Sequence, residues 1–334
     1  MAAYTTIDAP EAYFQVRAFT GNQGTLAVTL DGDTDMLPTM VWIKPRETAS
    51  YGTIVWDSVR GVTDYIETNS NGVEGEGLSG VDSFDSDGFT LGSYRGANDS
   101  AGNIAWCWKE SATAGFDIVL YTGSGSARTI SHSLSAVPHL ILVKNRDAAD
   151  PFQVYHHGNT AAPETDYLVV DTDAATADAA DRWNDTAPTS SVFSLGDGDE
   201  GNTNTEDYIA YCFAEKQGFS KFGTYVTTNN ANGPFNWCGF RPAVLIVKFS
   251  SQTGPWIAVD NKRDPINQMD AMLRLDTAAA EVDQSGVDFD FLSNGFKVRG
   301  TSGWINEPAG STISWIAFAE SPFVNSKGVP NNAR

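Results

Sequence analysis

Short hydrophobic segments separated by turn-forming residues recur along the whole chain. Most are apolar or alternating runs bounded by Gly, Asn, Asp and Pro, which is the pattern of β-strands and tight turns. In VDFDFLSNGFKVRG, Asp288 and Asp290 alternate with phenylalanines, so the two residue types face opposite sides of a strand. Helical periodicity is scarce, and only 173–183 and 269–275 are candidates for short helices. The pattern predicts an all-β protein.

Three landmarks repeat along the sequence at nearly constant spacing. The segments PTMVWIK, PHLILVK and PAVLIVK end at Lys44, Lys144 and Lys248. The segments IAWCWKE, IAYCFAE and WIAFAE end at three glutamates, and a short strand between the two landmarks carries a phenylalanine each time; these residues are Glu110, Glu215 and Glu320, and Phe89, Phe193 and Phe296. The spacing predicts a tandem triplication with units of about 104 residues.

Each predicted unit opens on an aromatic strand, and its strands and turns are most simply a two-sheet β-sandwich of jelly-roll type. Unbroken runs such as LILV fit strands buried on both faces, whereas TIVWD and FQVYH fit strands with one wet face. The short joints AGF and GFSKF favour units in contact. The predicted divisions are an N-terminal segment 1–13, sandwich units 14–115, 116–221 and 222–323, and a polar tail 324–334 with little order of its own.

The repeated lysine is interpreted as the structural end of a strand, because no nucleophile or cofactor motif repeats beside it. Its stem is expected to lie on apolar surface while its ammonium reaches water. The repeated glutamate of each unit is a candidate ion-pair partner. The alternative, a catalytic or anion-binding lysine in every unit, is the less favoured hypothesis.

The histidines do not form a repeated site, because all four lie in the second unit: His132, His139, His156 and His157. Adjacent histidines on a strand point to opposite faces and do not easily share one metal ion, so surface histidines are expected. The three cysteines, Cys107, Cys212 and Cys238, are too few for a disulfide framework and contain no CxxC pair. They are expected to be free and buried, as suits a reducing compartment.

The formal charge of -21 argues against two classes of partner. Such a chain is repelled by phosphate backbones and anionic lipids, so neither nucleic acid nor a membrane is an expected partner. No apolar stretch approaches the roughly 18 residues that span a bilayer. The opening MAAYTTIDAPEAYF lacks the features of a signal peptide, so folding in a cytosol is expected.

The sequence contains none of the common catalytic motifs: no GxSxG, HExxH, P-loop or GxGxxG after a strand. No catalytic residue, metal site or cofactor is therefore predicted. The acidic stretches 31–35, 85–88 and 196–202 lack the EF-hand pattern and are interpreted as turns, with weak calcium binding left open. Trp304, in the loop-like TSGWINEPAG, is the one candidate for a sugar-stacking contact.

The landmarks together resemble an uncharacterised repeat domain of structural proteins of tailed phages, common among marine and cyanobacterial phages. The resemblance is carried by ISHSL-x-VPHLILVKNRDAAD-x-FQVYHHG, by NANGPF with GFRPAVLIVK, by DNKRDPINQMD, and by FLSNGFKVRG with ISWIAFAESPF. It covers the second and third units nearly throughout, and the first unit is more diverged. The resemblance implies a concanavalin-like or jelly-roll sandwich and a place on the virion, after assembly in the host cytoplasm. It brings no assigned site residue.

These observations predict a non-enzymatic virion protein, and the favoured role is a tail-associated fibre or host-surface adhesin. Repeated sandwiches would then supply reach, and the loops at their ends would supply contacts. A head decoration or cement protein is the first alternative, and a glycan-degrading tail enzyme the second. The expected partners are other virion proteins and a host-surface glycan or receptor, and a homo-oligomer is left open.

Overall fold

The prediction of an all-β protein is confirmed by the computed structural model, which describes residues 3–331. Apart from one 3-10 turn and two four-residue helices, its regular elements are 26 antiparallel strands arranged as three β-sandwiches. Each sandwich pairs a six-stranded sheet with a smaller sheet. The helix predicted over 173–183 is limited to its last four residues, and the segment 269–275 contains a strand instead.

The first sandwich has a large sheet of order β1-β9-β3-β4-β5-β6 and a small sheet of order β2-β8-β7. A 3-10 turn, Pro10–Ala12, precedes its first strand. The strands are β1 (Phe14–Phe19), β2 (Leu26–Thr29), β3 (Met40–Pro45), β4 (Ile54–Asp57), β5 (Gly61–Glu67), β6 (Gly75–Glu76), β7 (Val81–Asp85), β8 (Gly88–Leu91) and β9 (Asn103–Trp108).

The second sandwich has a large sheet of order β10-β17-β12-β13-β14-β15 and a small sheet of two strands, β11 and β16. The helix α1 comes in the chain where the first sandwich has β7. The elements are β10 (Phe116–Thr122), β11 (Arg128–Ser131), β12 (Leu140–Asn145), β13 (Gln153–His156), β14 (Asp166–Val169), β15 (Ala177–Asp178), α1 (Ala180–Trp183), β16 (Val192–Leu195), α2 (Asp199–Asn202) and β17 (Asp207–Phe213).

The third sandwich has a large sheet of order β18-β26-β20-β21-β22-β23 and a small sheet of order β19-β25-β24. The three large sheets thus share one order of strands. The strands are β18 (Ser220–Val226), β19 (Phe235–Trp237), β20 (Phe240–Phe249), β21 (Trp256–Asp260), β22 (Ala271–Arg274), β23 (Val282–Asp283), β24 (Phe289–Leu292), β25 (Gly295–Val298) and β26 (Thr312–Pro322).

The central strands of each large sheet are buried on both faces, because the sheet packs against its own small sheet and also against the other two large sheets. Three hydrophobic clusters lie within the sandwiches, and a fourth contains residues of all three. The prediction that LILV is buried on both faces is confirmed. The wet face predicted for TIVWD and FQVYH is wrong, because β4 and β13 are buried along their whole length against the shared core.

Phe318 lies at the meeting point of the shared core. Its ring centroid is 5.0 Å from that of Phe14 in the first sandwich and 5.7 Å from that of Phe213 in the second. Aromatic side chains bury the largest apolar areas, so this contact stabilises the arrangement of the three sandwiches as well as each one alone. The three units therefore form a compact group and not an extended rod.

The repeated lysines differ from the prediction, because their side chains do not reach water. Lys44, Lys144 and Lys248 are all 0% exposed, and burial lowers the pKa of each to about 8. Each ammonium donates to one carbonyl of its own sandwich and one of a neighbour: Lys44 to Tyr51 and Thr277, Lys144 to Asp150 and Asn71, Lys248 to Gly254 and Asp173. The lysines join the sandwiches because their strands end against a neighbouring loop and not at the surface.

The repeated glutamates do not pair with these lysines, and the antiparallel register explains why. In the first sandwich Met40 lies opposite Trp108, and Pro45 lies opposite Asn103. Lys44 is therefore at the opposite end of the strand pair from Glu110. The same register separates Lys144 from Glu215 in the second sandwich.

Buried ion pairs form a second set of links between sandwiches. Arg60 binds Asp57 at 2.5 Å and Glu74 at 2.9 Å, with both arginine and aspartate side chains 0% exposed. Glu74 also accepts from Arg146 of the second sandwich at 2.7 Å. The Tyr211 hydroxyl, also of the second sandwich, donates to Asp57 at 2.7 Å. Satisfying every charge in this way is what makes burial of the pair tolerable.

The third sandwich repeats this arrangement, and the second replaces it with uncharged groups. Arg263 binds Asp260 at 2.7 Å, and Glu281 pairs with both Arg263 and Arg46 of the first sandwich. In the second sandwich, His156 lies opposite Leu140, as Asp57 lies opposite Met40 in the first. The fold therefore accepts a charged pair or a neutral group at the same place.

A buried asparagine closes the loop before the last strand of each sandwich. The side chain of Asn98 donates to the carbonyls of Gly24 and Gly92 and accepts from the Asn22 amide. Asn202 and Asn306 make the same three kinds of bond in the other sandwiches. The sequence signal is G-x5-N, in GSYRGAN, GDGDEGN and GTSGWIN. The acidic loop of the second sandwich is therefore a variant of a common loop of equal length.

Residues near the two ends of the chain lie together. The Ser326 amide donates to Asp8 at 2.6 Å, and the rings of Tyr4 and Phe323 are 6.4 Å apart. The tail was predicted to have little order, but its residues 324–331 form a turn closed by a bridge between Val324 and Pro330. Its last three residues lie outside the described part of the chain. No helix within residues 3–331 is long and apolar enough to cross a membrane.

Candidate binding cleft

Two open clefts lie where sandwiches meet. The first, of about 410 Å³, lies between the first and third sandwiches and is lined by several carboxylates together with Lys262. The second, of about 460 Å³, lies between the second and third sandwiches and is called the Trp237 cleft; its lining is Tyr4, His139, Glu215, Gln217, Ser220, Lys221, Trp237, Cys238 and Gly239. Only the second combines an exposed aromatic ring with ionisable groups of both signs, so it is the stronger candidate site.

A tight turn between β17 and β18 places two charged residues at the base of the Trp237 cleft. Gly218 has φ of +80°, a conformation that favours glycine, and lets the chain reverse. The Lys221 ammonium then lies 3.2 Å from one Glu215 oxygen, and the Phe222 amide donates to the other at 3.0 Å. The carboxylate is thus fixed by contacts from the strand that follows it.

His139 lines the cleft on the side of the second sandwich, and His157 packs against it. The rings of His139 and His157 are 4.7 Å apart and nearly perpendicular. The His157 Nε2 lies 2.7 Å from the Phe222 carbonyl oxygen and 3.6 Å from Glu215. The His139 Nδ1 accepts from the Glu215 amide at 3.2 Å. Both rings are held in place by the backbone.

The electrostatics of the cleft keep Glu215 ionised. Burial acts to raise the pKa of this carboxyl, but the contacts from His157 and the Phe222 amide and the charge of Lys221 outweigh it and lower the pKa to about 2. Burial also acts to lower the pKa of His157, but its bonds to Glu215 and to the Phe222 carbonyl give a net increase. Burial lowers the pKa of His139. The cleft therefore holds the Glu215 carboxylate beside the Lys221 ammonium.

His156 is buried and not at the surface as predicted, because β13 packs against the third sandwich. Its Nδ1 accepts from the Gly158 amide at 3.1 Å, and its Nε2 lies 3.2 Å from the Trp315 carbonyl oxygen. One nitrogen accepts and the other donates, which is the pattern of a neutral imidazole. Burial and the nearby His157 lower the pKa of His156 from 6.5 to about 4.

This neutral histidine should make the fold sensitive to acid. Since its folded pKa lies below its unfolded value, the unfolded chain binds the proton first; the stability it contributes is complete above pH 6.5 and is lost toward pH 4. The free energy of unfolding should fall by about 2–3 kcal/mol from this group between pH 7 and pH 4.5. Urea unfolding of the native chain and of His156→Gln at both pH values measures the difference. An equal pH dependence in the two proteins would contradict the assignment.

The strand β19 carries two exposed aromatic residues at the edge of the Trp237 cleft. Phe235 and Trp237 are each 46% exposed, whereas Asn236 between them is buried. Trp237 contacts the edge of Phe323 at 5.4 Å, and the Tyr4 hydroxyl donates to the Gly239 carbonyl at 2.9 Å. The tryptophan is therefore supported on one side and open on another.

The other two sandwiches have small residues at the positions of this aromatic pair. In the first, Val28 lies opposite Phe89, as Asn236 lies opposite Phe296, and its neighbours are Ala27 and Thr29. In the second, the neighbours of Ile130 are Thr129 and Ser131. All four small residues are exposed. The shared fold therefore does not require aromatic side chains at these positions, and they belong to the third sandwich alone.

Trp304, the residue singled out from the sequence, lies elsewhere. It is partly buried against the core of the third sandwich, and the Arg274 guanidinium lies 5.7 Å from its ring centroid. Its loop is the one closed by Asn306. It lines neither cleft. The signal that could have found the cleft is the alternation in PFNWCGF, where two aromatics flank a polar residue on a short edge strand.

The acidic turns serve the structure through their carboxylates. Asp31 pairs with Arg17 and with Lys262, each at 2.9 Å. Asp85 accepts from its neighbour Thr90 at 2.8 Å, and Glu200 pairs with Arg182 at 2.6 Å. Within residues 3–331, no group of three or more His, Cys, Asp or Glu side chains is arranged to hold a metal ion. The prediction of free, buried cysteines is confirmed.

The groups that line the Trp237 cleft are suited to holding a ligand by hydrogen bonds and ring stacking. The Cys238 thiol is buried, and burial raises its pKa, which disfavours the nucleophilic thiolate. Glu215 is the one carboxylate of the lining. The fold is that of an all-β protein, with two sheets per sandwich and a core shared by three sandwiches. Its recessed polar cleft, with an open tryptophan, is a candidate binding site.

The chain belongs to the family described as domain of unknown function DUF7483, whose match covers residues 9–322. The match runs as a single domain through all three sandwiches. No curated protein matches the chain.

Proposed function

We propose that this chain is a non-enzymatic structural protein of a tailed-bacteriophage virion and that it acts at the tail as a host-surface adhesin. The observation that carries the proposal is the Trp237 cleft, in which an exposed tryptophan stands beside fixed polar groups. Binding sites for small ligands are concave and use a few placed polar groups to orient the ligand, and the Trp237 cleft supplies such groups beside an exposed aromatic ring. The partners of this protein are other virion proteins and a host-surface glycan or receptor, and its place is the virion after assembly in the host cytoplasm.

The proposal includes a tandem triplication of units of about 104 residues. It is supported by the strand order shared by the three large sheets and by the equivalent bonds of Lys44, Lys144 and Lys248. The compact packing of the units gives no extended shaft. The adhesin is therefore a globular domain that presents its cleft, and reach must come from other virion proteins.

The compact shape also favours a second candidate, a head decoration or cement protein, since such a protein needs a stable globular body and no reach. A glycan-degrading enzyme has less support, because retaining and inverting glycosidases use a pair of carboxylic groups. The Trp237 cleft contributes one, Glu215, and that carboxyl is held ionised by its neighbours. Within residues 3–331, the first cleft has several carboxylates but no exposed aromatic ring on which a sugar could stack.

Immunogold electron microscopy of the phage particles that carry this protein tests the proposal. An antibody raised against the purified chain should label the tail end of intact particles. Label spread over the head would contradict the adhesin role and support decoration. Particles without label, with denatured particles also negative in immunoblots, would contradict the virion assignment itself.

A further inference from the structure

We infer that the Trp237 cleft binds a neutral, hydroxyl-rich saccharide, with one sugar ring stacked on Trp237 and the hydroxyls of the adjoining sugar hydrogen-bonded inside the cleft. This inference rests on the proposed adhesin function and specifies its ligand class. Three observations carry it: the exposed aromatic pair, the mixed polar lining and the difference between this junction and the other two.

The aromatic pair is placed to receive flat apolar faces. Residues two apart on a strand point to the same face, about 7 Å apart. Phe235 and Trp237 therefore form one platform on the outer side of β19, and each keeps 46% of its surface exposed. Contiguous exposed apolar patches, unlike single exposed apolar residues, mark interaction sites. Because the other sandwiches keep the same strand with Ala27 and Thr29, or with Thr129 and Ser131, folding does not account for the pair.

The polar lining selects against ligands of strong charge. An anionic ligand would meet the Glu215 carboxylate, and a cationic one would meet Lys221, which lies 3.2 Å from it. A hydroxyl both donates and accepts, so it can bond to either group. The Gln217 amide and the Tyr4 hydroxyl extend this set of donors and acceptors along the same cleft. A polyol satisfies such a mixed set better than a carboxylate or an amine does.

The junction between the second and third sandwiches differs from the equivalent junctions at the second residue pair between the first and last strands of the large sheet. Lys221 lies opposite Ala317, Asp117 opposite Cys212 and Gln15 opposite Cys107, so the three occupy one register position. The aspartate is engaged by the Ser133 amide and hydroxyl. The glutamine bonds to the Gly32 amide and closes its own loop. Lys221 alone carries a positive charge into an open cleft.

The sharpest test replaces the aromatic pair with the residues that the second sandwich has in its place. The double variant Phe235→Thr/Trp237→Ser keeps the strand pattern and should fold, with a somewhat lower unfolding midpoint because the contact between Trp237 and Phe323 is lost. The native chain should bind neutral members of a printed array of bacterial surface oligosaccharides. The variant should bind at least about tenfold more weakly, because stacking contributes on the order of 1 kcal/mol beyond the buried area. The control Val226→Ser, which removes another exposed apolar side chain of the third sandwich, should bind normally.

A second variant tests the polar part of the cleft. Lys221→Gln carries the residue that the first sandwich has at this position and should weaken saccharide binding several-fold without unfolding the chain. Binding that is equal in the native chain and the double variant, or binding confined to uronic-acid or sulfated members of the array, overturns the inference.

Host-cell binding separates failure of the inference from failure of the proposed function. Cell binding by the native chain that survives the double substitution overturns the saccharide site and leaves the adhesin role. Saccharide binding that depends on Trp237, without any binding to host cells, supports the site and overturns the adhesin role. Loss of both cell and saccharide binding in the double variant supports both.

Discussion

Replacing Arg60 with methionine should lower the free energy of unfolding by about 3–5 kcal/mol, because it leaves a buried carboxylate without its cation. Arg60 and Asp57 are both 0% exposed and lie 2.5 Å apart. The guanidinium also bonds to Glu74 and to the Val55 carbonyl, and water cannot replace it there. Glu74 keeps its second partner, Arg146, so the cost falls mainly on Asp57. Urea unfolding at pH 7 measures the change.

The double variant Asp57→Asn/Arg60→Met is the matched control. The asparagine oxygen can still accept from the Val59 and position-60 amides, and its NH2 group, in place of the second carboxylate oxygen, can donate to the Tyr211 hydroxyl, while the buried charge is gone. The double variant should therefore be more stable than the single one. The second sandwich has the uncharged His156 at the equivalent place, which shows that the fold does not need the charge. A double variant as unstable as Arg60→Met would show that packing, and not the unpaired charge, sets the cost.

The sequence predicts the sheets well because strand periodicity and turns are local properties. The segments LILV, IVWD and QVYH are all strands, and the three landmarks all fall at corresponding ends of strands. The sequence does not predict that the second face of each large sheet is buried. The polar residues at the two ends of TIVWD suggest a solvent-exposed face. Asp57 is nevertheless buried, because its carboxylate accepts from Tyr211 across the junction with the second sandwich. The burial of this face depends on packing between sandwiches, and the sequence of a single strand does not indicate that packing.

The prediction that the lysine ammonium groups reach water is wrong for the same reason. A lysine at the end of a strand usually extends its ammonium to water. Here, Lys144 meets the Asn71 carbonyl of another sandwich, some 70 residues away along the chain. The recurrence of the lysine was visible in the sequence, and recurrence was the useful signal. Its partner is a backbone carbonyl, which has no sequence signature.

The candidate site was partly within reach of sequence reasoning. The local sequence favours Trp304 as the tryptophan for stacking, because its neighbours are small and polar. That loop is held rigid by Asn306, and its tryptophan packs inward. Trp237 lies instead in a strand of three residues, where alternation with Asn236 points both aromatics outward. Comparing the three sandwiches position by position identifies the aromatic pair as the exception.

The junctions between sandwiches hold both the stability and the candidate chemistry of this protein. The shared core, the lysine links and the buried ion pairs all cross them, and so do the two clefts. Groups in the Trp237 cleft are positioned by the same backbone contacts that join the second and third sandwiches. Weakening a junction should therefore disturb the cleft, whereas a change on the outer strand β19 should leave the junction intact.

Replacing Lys144 with methionine should lower the free energy of unfolding by about 2–4 kcal/mol. The side chains have similar length, but methionine donates no hydrogen bond, so the carbonyls of Asn71 and Asp150 lose a buried donor at about 1–3 kcal/mol each. Removing the cost of burying the ammonium offsets part of this loss. Urea unfolding at pH 7 measures the effect, since the ammonium is still mostly charged below its pKa of about 8.

The exposed Lys327 provides the control for this substitution. Lys327→Met changes the net charge equally and should alter stability by less than about 0.5 kcal/mol, as surface substitutions usually do. Because Lys144 joins the first and second sandwiches, its loss should also raise hydrogen exchange at Asn71 and its neighbours, in a sandwich that does not contain the substitution. A change in exchange confined to the second sandwich would mean that the lysine supports only its own loop and that the shared core and the buried ion pairs hold the first and second sandwiches together.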